Sequence, residues 1–253
     1  MNKYVSIINL RTLLISAISM VCALLVYHFN FTYDLDLSLI SIAIVFPLVF
    51  TIRSAFRRRE KALEFLSRFR SGLVSAEYAF LTVKKLSAEE KLEVHHQLLL
   101  TSEKMLEFLE KPMGDLEEVR KSATGINQFV VDKSEQIKST NRLKINNLLL
   151  DVHLGIETVA AIKIYHTPTS IRAYCLIFIY LFPVICTPSI YFKLQQGVND
   201  GNLYILIFLS VVSSFILISL FNVQEQLENP FDSNGLDDIR TESFGFKGAN
   251  PLT

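Results

Sequence analysis

Residues 224–232 read Gln224-Glu225-Gln226-Leu227-Glu228-Asn229-Pro230-Phe231-Asp232, and two more carboxylates follow at Asp237 and Asp238. A hydrophobic segment, Leu203 to Phe221, runs directly before them. An apolar helix that ends in an amide- and carboxylate-rich turn places oxygen ligands at the edge of a membrane. Asp, Glu, Asn and Gln oxygens, together with backbone carbonyls, are what a hard cation such as Ca²⁺ prefers. The plainer reading is a polar helix exit broken by Pro230. Spacing alone leaves both open.

Three further segments share the apolar character: Leu13–Tyr27, Leu37–Ile52 and Ile171–Phe192. The first two fall short of the about 20 residues that a span needs. They must continue into their polar flanks or lie tilted in a bundle. Half of the 253 residues are hydrophobic and the mean hydropathy is +0.34, too apolar for an ordinary soluble domain. Leu13–Tyr27 is followed by Phe29–Phe31 rather than by a small-x-small cleavage site, so it reads as a retained span. Cys22, Cys175 and Cys186 all lie in hydrophobic segments, and an odd number of thiols reads as packing rather than a disulfide set.

Charge sets the topology. Lys and Arg total 25, as do Asp and Glu, but 19 of the cations lie between Arg53 and Lys163. The loop Asn30–Asp36 holds Asp34 and Asp36 and no cation, and Lys193–Asn202 holds one charge of each sign. The positive-inside rule therefore places 53–168 in the cytoplasm. Four spans then put both termini there too, in a plasma (inner) membrane, and Lys3 and Arg11 agree.

The middle of the chain reads as helical. Arg57–Phe69 continues out of the second span with Ala62, Phe65, Leu66 and Phe69 on one face. Ser87-Ala88-Glu89-Glu90 is a capping box that starts a helix to about Lys111, with Leu92, Leu99, Leu106 and Leu109 on a stripe. Pro112 and Gly114 stop it. Asp115–Ser122 starts a short helix that Gly125 breaks, and Thr140–Tyr165 is a long one with Leu143, Leu150, Leu154, Ala161 and Ile164 on one side. The tail after Asp238 reads as loose. No strand alternation and no internal repeat is present.

The expected fold class is an all-α membrane protein. Four transmembrane helices flank a large helical cytosolic block between the second and third, in one continuous unit that assembles as a symmetric oligomer. Its parts are the first transmembrane pair (1–52), the cytosolic helices (53–168), the second pair (169–222) and a tail with the acidic cluster (223–253).

The second span carries the most pointed pattern. Ile42, Phe46 and Phe50 are spaced i, i+4, i+8 and share a helical face. In a lone helix that is lipid or core contact. In a symmetric oligomer it stacks hydrophobic rings, a constriction that gates by dewetting. Pro47 lies in the same helix and frees a carbonyl. Between Asp36 and Arg53 there is no charged residue, which counts against an ion-coupled carrier. Arg53, Arg57, Arg58 and Arg59 follow, either as an anchor to lipid phosphates or, for those facing a pore, as a positive vestibule that concentrates anions. His95 and His96 diverge on a helix, and His153 and Glu157 are i, i+4; neither set has metal or catalytic spacing. The chain shows no phosphate-binding glycine loop, activated nucleophile or zinc signature, and no basic patch suited to nucleic acid, so an enzyme is not indicated.

Three stretches resemble the bestrophin family of ion channels. Ile42 to Ala62 is similar to the family's neck helix, with Ile42, Phe46 and Phe50 at its hydrophobic positions and Arg58 at a basic position after them. A shifted register would nominate Ile44, Leu48 and Ile52. Gly155-Ile156-Glu157, Thr167-Pro168 and Phe182-Pro183 are similar to the run into the third span. Gln226-Leu227-Glu228-Asn229-Pro230-Phe231 with Asp237 and Asp238 resembles the segment closing the fourth. From about Ser71 to Leu148 the likeness is helicity alone.

The resemblance implies a homopentamer with an axial pore. Ile42, Phe46 and Phe50 would form its neck, Arg53 and Arg57 its charged vestibule, and Gln226, Asn229, Asp232, Asp237 and Asp238 a belt that takes Ca²⁺. Animal members of the family conduct chloride and open with Ca²⁺; bacterial members can pass cations instead. The expected function is passage of small inorganic ions, chloride foremost, with no required cofactor and with the bilayer and copies of itself as partners. The rivals are a cation-selective channel of the same fold and a non-conducting scaffold or signalling adaptor that binds a cytosolic partner.

Overall fold

The computed structural model describes residues 8–197, 202–232, 235 and 237–248. Lys3, part of the loop Lys193–Asn202, Ser233 and Asn234, and the last five residues of the tail lie outside them. Among the described residues, seven α-helices follow one another: α1 (Leu10–Phe29), α2 (Leu37–Leu81), α3 (Ala88–Glu110), α4 (Leu116–Asp132), α5 (Ser139–Ile164), α6 (Thr169–Gln196) and α7 (Leu203–Glu228). A 3₁₀ turn, Thr241–Phe244, sits in the tail. The described residues contain no strand. Among the described residues, four stretches are long and apolar enough to cross a membrane, in α1, α2, α6 and α7. The chain is an integral membrane protein.

The residues form two compact units. One holds residues up to Arg57, His166–Glu228 and Asp237; the other holds Arg58–Tyr165, 229–232 and the tail from Asp238. The boundary falls inside α2, a single helix of 45 residues.

The first unit, α1, the start of α2, α6 and α7, is packed for an apolar solvent. The buried positions of α1 are Thr12, Ile15, Ser19, Ala23 and Val26, a stripe of mostly small residues at helical spacing. Leu13, Leu14, Val21 and Leu25 are exposed. Small residues inward and large apolar ones outward is the pattern of helices that meet in lipid, where hydrophobicity cannot drive them together. Hydrogen bonds supplement the packing. Ser214 donates to Ser19 at 3.1 Å, and buried Asn222 donates to Thr12 Oγ1 at 2.9 Å while accepting from Asn9 at 3.1 Å. Asn9 and Thr12 also form the capping box that starts α1, and left-handed Asn30 (φ 51°) ends it, a conformation Asn tolerates. Ile44 and Leu48 of α2 pack with Ile15, Cys175, Ile179, Leu217, Ile218 and Phe221.

The second unit is a helical block around the rest of α2. Ala62, Leu66 and Phe69 are buried there, as their spacing predicts. Ser87 and Glu90 form the expected capping box. Glu90 also accepts from Lys133 Nζ at 2.7 Å and Gln136 Nε2 at 3.1 Å, which ties the start of α3 to the end of α4. Those donors, Lys133 foremost, hold the Glu90 carboxyl down at about 2. Lys163 of α5 donates to the carbonyls of Phe108, Leu109 and Lys111, capping the C-terminus of α3, and lies over the Phe108 ring. Burial pushes its ammonium below the usual lysine range. Arg58 donates to Ile162 O at 2.6 Å in the last turn of α5. Cations suit both places, because the carbonyls of a final turn lack helical partners and carry the negative end of the dipole.

Four expectations are corrected. Gly125 does not break a helix; α4 runs through it to Asp132, because Val119, Ala123, Ile126 and Val130 give it a buried face that outweighs one glycine. On α5 the stripe Leu143, Leu150, Leu154 and Ile164 is exposed, and the buried face is Ile145, Leu149, Val152, Ile156 and Val159. On α3, Val94, Leu98 and Met105 are buried with Leu109 of the expected stripe, while its Leu92, Leu99 and Leu106 line the edge of that face. The described tail is not loose either. Ile239 and Phe246 enter the core of the second unit, and Phe246 N donates to Ser102 Oγ at 2.8 Å.

Two glycines let α2 and α5 approach closely. A Cβ on Gly155 would lie 2.6 Å from Phe69 Cβ and 3.0 Å from the Phe65 carbonyl, and one on Gly72 would meet Val152 at 2.8 Å. Gly155→Ala gains about 1 kcal/mol of helix propensity but forces overpacking worth about 1–3 kcal/mol. Its net effect is expected to be lower stability, read as an earlier midpoint in denaturant; a later midpoint refutes the close approach. For Glu90 the sign follows from a pKa held below its ordinary 4.5. Its stabilisation is complete above that value and is lost as pH falls toward about 2. The melting-temperature gap between wild type and Glu90→Gln should therefore narrow over that window and vanish below it.

Candidate functional site

The site is built on the first turns of α2. Ile42, Phe46 and Phe50 are 62 %, 61 % and 52 % exposed, whereas Ile44 and Leu48 of the shifted register are 2 % and 0 % exposed. Phe46 and Phe50 meet edge to face with ring centroids 4.6 Å apart. Arg53 and Arg57 continue the face, seven residues after Phe46 and Phe50 respectively. Both are exposed and neither forms an ion pair among the described residues. Arg58 and Arg59 point elsewhere, toward Ile162 and Glu60.

Pro47 shapes this helix. Lacking an N–H, it leaves the carbonyl four residues back, at Ala43, without its helical partner. The hydroxyl of Tyr174 on α6 donates to that carbonyl, at a long 3.4 Å. Between α2 and α6 lies an open groove of about 640 Å³, walled by Phe46, Pro47, Phe50, Ile171 and Tyr174. Its hydroxyls come from Thr51, Ser54, Thr167 and Ser170. Thr51 donates to the Leu48 carbonyl at 2.8 Å.

The acidic belt is divided. Gln226 and Asp237 fall in the first unit, and Asn229, Asp232 and Asp238 in the second. Asp232 and Asp237 are exposed, and Gln226, Asn229 and Asp238 half-buried. Pro230 and Ile239 join across the bend, Ile239 N to Pro230 O at 2.8 Å. Among the described residues, no group of three or more His, Cys, Asp or Glu is placed to hold a metal ion.

The central group of this end of α7 is Glu228. Its carboxylate is buried and accepts from Thr167 N, Thr167 Oγ1 and Gln224 Nε2. One turn earlier, Glu225 pairs with Arg11 at 2.9 Å and Arg172 at 3.3 Å. Sequence reasoning quoted Thr167-Pro168 and Glu228 in separate motifs and missed that they touch. The signal was there, since a carboxylate so near an apolar span needs a donor. The choice of donor, 61 residues away, is tertiary information.

The histidines take other partners than spacing suggested. Nε2 of His153 meets Asn127 at 2.8 Å, and Glu157 binds Arg120 through both oxygens, each at 2.7 Å. Burial pushes the His153 imidazole down, and Arg120 holds Glu157 below the usual carboxylate range. His95 Nδ1 lies 2.6 Å from buried Glu77. His95, His153 and Glu157 are tied within the helical block.

No protein-family profile matches the sequence, and no curated protein matches it. Solved structures do. A bacterial bestrophin homologue from Klebsiella pneumoniae aligns with TM-score 0.73 and 15 % identity over 93 % of this chain and 92 % of its own. A tryptophan-to-alanine variant of the Klebsiella pneumoniae protein aligns at 0.76 and 15 %, covering 96 % and 94 %. A leucine-to-threonine variant aligns at 0.74 and 15 %, covering 93 % and 92 %.

Glu228→Ala would leave the Thr167 N–H and hydroxyl buried without an acceptor, a loss of about 1–3 kcal/mol. Thermal unfolding of the detergent-solubilised protein should fall accordingly, with Glu228→Gln, which keeps one acceptor oxygen, falling less. Equal melting of Glu228→Ala and wild type would remove Glu228 from its central place.

Proposed function

From the bestrophin-like fold, we propose that this protein is an oligomeric ion channel, most simply a homopentamer, passing small inorganic ions through an axial pore. The observation that carries the reading is the one-sided stripe on α2. Ile42, Phe46 and Phe50 stay uncovered while Ile44 and Leu48 are used in packing. A helix that buries one apolar face and leaves another bare, continuous with exposed arginines, suits the lining of a shared pore. The three apolar positions form a neck too narrow and dry to hold water unless it widens. Arg53 and Arg57, repeated around the axis, raise the local concentration of anions, so chloride is the proposed permeant ion. The helical block and both termini are taken as cytoplasmic, as the cation distribution requires.

A folded Phe46→Ala variant should pass more current than wild type, because the neck loses a ring from every subunit. Unchanged single-channel conductance would overturn the neck assignment. Recording of the purified protein in a planar bilayer under a salt gradient tests the ion. Reversal near the chloride equilibrium supports the proposal, and reversal near the sodium or potassium value keeps the channel and replaces the anion. Silence from folded, oligomeric protein transfers the fold to a scaffold.

A further inference from the structure

We propose that one ordered water molecule is bound between α1, α6 and α7, held by the hydroxyls of Thr187 and Ser210, and that it bolts α6 to α7 inside the apolar spans. All three helices lie in the first unit. Thr187 and Ser210 are each 1 % exposed, and neither hydroxyl has a hydrogen-bond partner among the described residues. A Ser or Thr hydroxyl in a helix ordinarily turns back to a carbonyl three or four residues earlier. Thr51 and Ser213 do so here, onto Leu48 and Leu209. Thr187 and Ser210 do not, and a sealed hydroxyl left alone in a membrane span is costly.

Helix register brings the two hydroxyls to one level. The bonds Asn222 to Thr12 and Ser214 to Ser19 set α7 antiparallel to α1. One turn onward along α1 and one turn back along α7 then puts Ala23 level with Ser210. The Tyr27 and Tyr191 rings, 5.7 Å apart, and the bond from Gln195 to Asn30 at 2.9 Å set α6 parallel to α1. One turn back from both tyrosines puts Ala23 level with Thr187. Ala23 is buried, and its single methyl leaves room between the hydroxyls. The next residues on these faces, Ser19, Pro183, Tyr191, Leu206 and Ser214, are all neutral. Nothing there balances an ion, whereas a neutral molecule that both donates and accepts suits two hydroxyls. Buried Pro188 adds a third partner. Lacking an N–H, it leaves the Val184 carbonyl, three residues before Thr187, without its helical donor. About three partners is the usual number for a buried water, and ordered water is one means by which membrane helices answer a carbonyl that proline frees.

The test is a double-mutant cycle on reversible unfolding of the full-length protein in mixed micelles of a mild detergent and dodecyl sulfate. Thr187→Val and Ser210→Ala each remove one hydroxyl with little change of shape. Each should raise the unfolding constant about threefold, the mean effect of a hydrogen bond between membrane helices. The double variant should also stand about threefold above wild type, because either loss frees the water. Independent hydroxyls would instead multiply to about ninefold, and that result overturns the proposal. So does a lower unfolding constant in either single variant, which would mark its hydroxyl as idle. Replacing sodium by choline should leave the wild-type constant unchanged; stabilisation that depends on sodium would put a cation in the site and overturn the water. Should the double variant not refold, a high-resolution structure of the wild type decides. Density for one molecule about 2.5–3.0 Å from both hydroxyls supports the proposal, and empty density between them overturns it.

Discussion

Inside a bilayer a polar group has no water to turn to, so every donor and acceptor must find its answer within the protein. Much of the first unit follows from that constraint. Pro47 opens a carbonyl at Ala43 and the Tyr174 hydroxyl reaches it. Asn222 would be costly in lipid, and it serves as the joint between α1 and α7 because Asn9 and Thr12 supply its partners. Glu228 sits where the apolar helix ends, and the first residues before α6 fold over it so that Thr167 can donate twice. Ser19, Asn222 and Glu228 look misplaced in the sequence, and each is a fastener to another segment of the unit.

Against this background α2 has a double character. One of its faces is spent on holding the protomer together, through Ile44 and Leu48 and, further along, Ala62, Leu66 and Phe69. The other face is left bare from Ile42 to Arg57. At 1.5 Å per residue its 45 residues span about 68 Å, so the same helix supplies the apolar stripe, the arginines and the spine of the helical block. The bend that Pro47 permits lies within the bare stretch, between the residues proposed to narrow the pore.

Much of the architecture was legible in the sequence, for stated reasons. Spans announce themselves by length and hydropathy, and Ser87 with Glu90 marks a helix start because its hydrogen bonds are local. The face of α5 was read wrongly for an equally physical reason. Its leucines recur at Leu143, Leu150 and Leu154, but the partners that decide burial, Phe65 and Phe69 above all, demanded the side carrying Gly155. Small residues decide close packing and leave no hydrophobic signal. On α2 two apolar registers could not be separated by period, since every position is apolar; what separates them is contact with α6 and α7. Glu228 was visible, but its donor lay 61 residues away. The acidic belt was named residue by residue, yet its members lie in both units, and whether they ever meet around an ion is not written in their spacing.

The core of the helical block includes Phe231, Ile239 and Phe246, which come after the fourth apolar helix, while most of that core lies between Ala62 and Ile162. The ribosome therefore makes most of this block long before it makes the residues that complete it. In between it must produce, and the membrane must accept, α6 and α7. The block cannot close its core during its own synthesis. It has to wait, partly assembled, until the second pair of spans has been threaded. Completion of the core then reports that threading is finished, so a chain whose last span fails to insert would leave an open hydrophobic face for proteases and chaperones to find.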